Sequence, residues 1–90
     1  MLEANVKIVN HLGLHARAAA QLVRAASQFK CKIKLIRADN AVSADAKSIL
    51  SVLTLAAPKG TEIRVEIDGE DDAEALQTIE NLFAGGFGED

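Results

Sequence analysis

Apolar residues recur along this 90-residue chain in two rhythms, at every second position and at every third or fourth. The first marks half-buried strands and the second amphipathic helices. Val6, Ile8 and Val9, set among polar residues, predict a first strand over roughly residues 4–10. Asn10-His11-Leu12-Gly13 breaks that pattern. From Ala16 to Gln28 the chain is alanine-rich, with Ala19, Leu22, Val23 and Ala26 on one face, which predicts a helix. Cys31 to Arg37 alternates again and predicts a strand. Ala38-Asp39-Asn40 supplies a turn, and Ala41 to Ala44 can return as a short partner strand. A second helix is expected from Ser48 to Ala56, bounded by Pro58. Thr61 to Asp68 places Ile63, Val65 and Ile67 on one face of a last strand. Glu70-Asp71-Asp72 suits a helix start, and Ala75, Leu76, Ile79, Leu82 and Phe83 continue as one stripe. Gly85-Gly86 can end that helix, with Phe87 folding back over it.

The predicted order is βαββαβα. Each strand has a single apolar face, so a four-stranded antiparallel sheet is expected, with three helices on one face. The fold class is α+β, a two-layer open-faced sandwich, with residues 1–90 forming one domain.

Composition narrows the function. Hydrophobic types are 49% of the residues, enough for a core, and the mean hydropathy of +0.10 excludes a disordered chain. A net charge of −3, with neither Trp nor Tyr, gives no grip on phosphate backbones and no stacking platform, so no nucleic-acid partner is expected. No apolar run approaches a membrane span, and the N-terminus has no basic flank followed by an apolar run. The expectation is a cytoplasmic protein without membrane insertion. Lone Cys31 excludes an internal disulfide and reads as a small buried hydrophobe.

Gly13-Leu14-His15-Ala16-Arg17 carries the most chemistry. A histidine at a helix start sits where unpaired amides and the helix dipole attract anions. Neutral imidazole is a nucleophile. A phosphoryl group on His15 could be held by the amides of Ala16 and Arg17 and by the Arg17 guanidinium. Taken alone, the same pattern also describes an ordinary surface histidine. His11 lies four residues earlier, but Gly13 intervenes and no carboxylates or thiols cluster locally, so no metal site is expected. Ser48 is a good N-cap for the second helix, and a phosphate there would be accommodated. Ile49, Leu50, Val52, Leu53 and Leu55 exceed what one buried face of a short helix needs. Some of them should form an exposed docking patch, with Arg24 on its rim.

With Lys47-Ser48-Ile49-Leu50-Ser51-Val52-Leu53-Thr54-Leu55 and Lys59-Gly60-Thr61 added to the first motif, the whole chain resembles the HPr family. These are the histidine-containing phosphocarriers of the bacterial phosphoenolpyruvate-dependent sugar phosphotransferase system. The resemblance implies that His15 is phosphorylated on Nδ1 by enzyme I, at the expense of phosphoenolpyruvate. It implies transfer onward to a IIA sugar-specific component, with Arg17 assisting. Ser48 would be the serine modified by HPr kinase/phosphorylase. Arg24, Lys47, Ile49, Leu50 and Leu53 would meet the partners. No cofactor is implied, and a monomeric carrier is expected rather than a stand-alone enzyme. A regulatory HPr-like binding protein and a nitrogen-branch phosphocarrier are the alternatives. The chain departs from the family at Ala18, where proline is usual, in a longer segment between Arg37 and Lys47, and at Ser51, where glycine or lysine is common.

Overall fold

Ile63, Val65 and Ile67 are completely buried, because their strand lies inside the sheet with a neighbour on each side. The computed structural model describes residues 1–89. Its strands are β1 (Leu2–Lys7), β2 (Lys32–Arg37), β3 (Ser43–Asp45) and β4 (Glu62–Asp68). Its helices are α1 (Ala16–Ala26), α2 (Ile49–Leu53) and α3 (Asp72–Ala84). The chain order is βαββαβα, and the sheet runs β1-β4-β2-β3 with every pairing antiparallel.

The register aligns the apolar positions into rows. Ala4 and Leu35 flank Val65, and Leu2 and Ile33 flank Ile67. A slip of one residue would turn each row to solvent, so burial itself selects the register. Ala18, Ala19, Leu22 and Ala26 of α1 cover the inner face with Val52 of α2 and Ala75, Ile79 and Phe83 of α3. Small alanines let α1 approach closely. Each fully buried Ile or Phe contributes about 1.5–3 kcal/mol relative to exposure.

Several boundaries differ from those the sequence predicts. β1 spans Leu2–Lys7, short of residue 10, although Ile8 still exchanges backbone bonds with Gly60 and Thr61. Val9 consequently faces solvent at 44% exposure, and Asn10 takes the next inward position. The return strand is Ser43–Asp45 rather than residues 41–44. Ala41 adopts a positive φ of 61° inside the turn, and Asn40 Oδ1 accepts the Val42 amide. α2 ends at Leu53 instead of Ala56. The chain tightens there into i→i+3 bonds to Leu55 and Ala56, and Arg37 donates to the Leu55 carbonyl at 2.9 Å. α1 closes at Ala26, where Gln28 and Phe29 likewise bond back three residues.

The C-terminal reading holds in detail. Gly85 caps α3, and Gly86 turns the chain with a φ of 61°. Phe87 is buried, with its ring edge-on to Phe83 at 5.1 Å between centroids. That contact brings the end of the chain back over the loop between β1 and α1. Cys31 is buried and free, and burial first, then the Asp71 carboxylate, pushes its thiol up to about 11. It is an inert packing residue.

Candidate functional site

Three separate stretches of chain meet at the start of α1. The first is the loop from Asn10 to His15. Gly13 has a φ of 70°, and a Cβ there would lie 2.5 Å from the Ala57 carbonyl oxygen. Both facts require glycine. The next amide, Leu14, donates to that same carbonyl at 2.9 Å, which locks the second stretch, residues 57–60, against the first. Buried Leu14 then anchors the loop in the core, leaving His15 at the N-cap with extended backbone. The first helical bond runs from the Ala19 amide to the His15 carbonyl. The amides of Ala16, Arg17 and Ala18 therefore have no acceptor within the helix.

The third stretch is the returning C-terminus. Glu89 Oε2 lies 2.6 Å from His15 Nε2, and both side chains are largely covered, at 17% and 27% exposure. Asn10 Nδ2 donates to Glu89 Oε1 at 3.2 Å and to the Gly13 carbonyl at 2.7 Å. Burial pushes the Glu89 carboxyl up, but the hydrogen bonds from Asn10 and His15, with the nearby Arg17 charge, hold it below the usual glutamate value. It is ionised at neutral pH and can only accept, so His15 Nε2 must donate. His15 makes no side-chain bond to the helix amides.

Around this pair lies an open cleft of about 820 Å³, lined by His11, Leu12, His15, Ala16, Arg17, Lys59 and Glu89. Arg17 is exposed. With Lys59 and the free amides, it makes the cleft a place where a phosphoryl-sized anion is stabilised. The carboxylate of Glu89 is the one negative group among the lining residues. The arrangement offers a ring nitrogen, anion-stabilising groups beside it, and open access from solvent.

Ser48 occupies the N-cap of α2, where its Oγ accepts the Ser51 amide at 3.4 Å. Ser51 Oγ in turn accepts the Asp45 amide at 2.9 Å, so the family departure at this position ties α2 to β3. Leu50 is 75% and Ile49 39% exposed, while Val52 and Leu55 are buried, which divides the apolar excess of α2 as the sequence suggests. Arg24 is exposed in the last turn of α1. Leu53 is half-buried against the core. Lys47 does not join the exposed set. Its Nζ donates to the Phe29 carbonyl at 2.7 Å, bracing the turn between α1 and β2. Asn10, Lys59 and Glu89 were given no role from sequence. For Asn10 a signal existed, since it continues the inward phase of β1, where a polar residue must find a partner.

A family model described as "PTS HPr component phosphorylation site" matches residues 2–85. The chain belongs to the HPr family. It is 45% identical over 89 residues to the phosphocarrier protein HPr of Neisseria meningitidis, covering 99% of this chain and 98% of the relative. It is 48% identical over 90 residues to that of Xylella fastidiosa, covering 100% and 99%. A crystal structure of an HPr from Thermoanaerobacter tengcongensis superposes with a TM-score of 0.92 at 33% identity, covering 100% of this chain and 99% of that one. The α+β sandwich is thus the HPr fold. Among the described residues no helix is long and apolar enough to cross a membrane.

Proposed function

We propose that this HPr-family chain carries a phosphoryl group on His15 Nδ1, taking it from enzyme I and handing it to a IIA component. The observation that carries the reading is the placement of His15 at the open start of α1, with Nε2 bonded to Glu89 and a cationic cleft in front. The Nδ1 lone pair attacks phosphorus and a P–N bond forms. The bond from phosphorus to the donor breaks, and its electron pair leaves with the donor. The reverse sequence passes the group on. The amides of Ala16 and Arg17 and the Arg17 guanidinium stabilise the phosphoryl oxygens. Little else is required of the carrier, because each partner supplies its own half of the exchange.

Ile49 and Leu50, with Leu53 at their base and Arg24 beside them, form the docking surface. A small apolar patch with a basic rim suits partners that bind weakly and leave quickly. Phosphorylation of Ser48 by an HPr kinase/phosphorylase adds charge beside Ile49 and Leu50 and weakens that docking. The carrier acts as a cytoplasmic monomer. Intact-mass analysis after incubation with phosphoenolpyruvate and enzyme I tests the reading. One acid-labile phosphoryl group is expected on the wild-type chain and none on His15→Ala. A wild-type chain that stays unmodified, or an alanine variant that is modified, overturns it.

A further inference from the structure

Asn10 is the only polar residue among the described ones whose side chain is fully buried, at 1% exposure. Nothing in the packing of the sheet requires an amide there. An apolar residue would continue the inward row of β1, and Asn10 Oδ1 has no partner. An unpaired buried carbonyl is costly, so the amide's other end must do something that an apolar side chain cannot. That end, Nδ2, makes two bonds. One fixes the Gly13 carbonyl, and with it the turn that delivers His15. The other holds Glu89 Oε1.

Glu89 reaches the ring from 74 residues away in sequence, on a tail pinned by Phe87 against Phe83. Gly86 lies beside Asn10, where an added Cβ would sit in ordinary contact with the Asn10 Cβ, at 3.4 Å. The tail is therefore fastened at two points before Glu89 is reached. With Oε1 taken by Asn10, Oε2 faces Nε2. Which ring nitrogen carries the proton in a neutral histidine is set by the bond its other nitrogen makes. A carboxylate on Nε2 keeps the proton there and leaves the lone pair on Nδ1.

We infer that Asn10 and Glu89 are positioning residues that hold His15 in the Nε2–H tautomer, so that Nδ1 is the nitrogen presented to phosphorus. The inference rests on the carrier reading for its consequence, while the tautomer itself is a property of the free protein. After transfer the Nε2 proton still faces the carboxylate, which offsets the positive charge of the phosphorylated ring. Neither residue touches the phosphoryl group.

The test is the pair of imidazole ¹⁵N chemical shifts of His15 in the full-length labelled protein, at a pH where the ring is neutral. Wild type should show Nε2 protonated. Glu89→Ala should move both shifts toward the mixture seen in free histidine, and Glu89→Gln, whose carbonyl can still accept, should restore much of the difference. Asn10→Ala should act in the same direction, and because it also removes the bond to the Gly13 carbonyl, the Glu89 variants decide. Phosphoryl uptake from phosphorylated enzyme I should fall several-fold in Glu89→Ala and recover in Glu89→Gln. A wild-type ring protonated on Nδ1, or shifts unchanged in Glu89→Ala, overturns the inference. Absence of any phosphoryl uptake by wild type overturns the carrier reading instead and leaves the shifts to judge the tautomer.

Discussion

The two proposed sites, the start of α1 and the start of α2, are built on opposite plans. His15 depends on residues that meet only after folding, with Asn10, Ala57 and Glu89 coming from three stretches of chain. Ser48 depends on its neighbours alone, since its cap partner Ser51 and the exposed Ile49 and Leu50 all lie within three residues. A site that must orient one ring nitrogen needs rigid, long-range support. The proposed modification site needs only a serine at a helix cap, and residues next to it in the chain provide that.

The largest expected effect contrasts the two directly. His15→Ala should abolish phosphoryl uptake from enzyme I, while Ser48→Ala should leave it within a factor of about two, since only a helix cap is lost. Intact-mass time courses read both. The next contrast is in stability. Gly13→Ala combines a positive φ with a contact against the Ala57 carbonyl, so a loss of about 1–3 kcal/mol in denaturant unfolding is expected. Ser48→Ala should lose at most about 1 kcal/mol, given the 3.4 Å length of its cap bond. Smaller still on stability is Leu50→Ala. At 75% exposure it should stay within about 0.5 kcal/mol of wild type, yet weaken binding to enzyme I in titration calorimetry.

A last contrast uses acid. The Lys30 amide, chiefly, and the Cys31 amide hold the Asp71 carboxyl below its ordinary value, and burial opposes them without winning. Glu89 is held low as well, against its own burial. A carboxylate depressed on folding stabilises the protein above the ordinary carboxylate range, and that contribution disappears as pH falls through its lower folded value. Asp71→Asn should therefore flatten the acid limb of a stability–pH curve. Ser48→Ala removes a group that does not itself ionise in this range, so it should displace the curve without reshaping it.

Much of the fold was legible because the rhythm of apolar residues is clean. Ile63, Val65 and Ile67 announce β4, and Ala75, Ile79 and Phe83 announce α3. Phe87 was readable as a cap contact because glycines precede it. The ends of elements were harder. Ala41 and Ala56 take positive φ values that alanine does not advertise, so β3 and α2 begin or end away from the residues their propensities suggest. In the candidate site, Gly13, His15, Arg17 and Ser48 were visible as local motifs. Glu89 was not, since no pattern links it to a histidine 74 residues earlier. Lys47 is a partner-contact residue only by the family resemblance, and no local pattern shows that its long stem lets the ammonium reach the Phe29 carbonyl beyond α1.

The most direct test of the account is the position of the phosphoryl group on the ring. After phosphorylation by enzyme I, ¹⁵N–³¹P coupling in the labelled protein should place phosphorus on Nδ1 of His15, with the proton still on Nε2. Phosphorus on Nε2, or on any other residue, would contradict it.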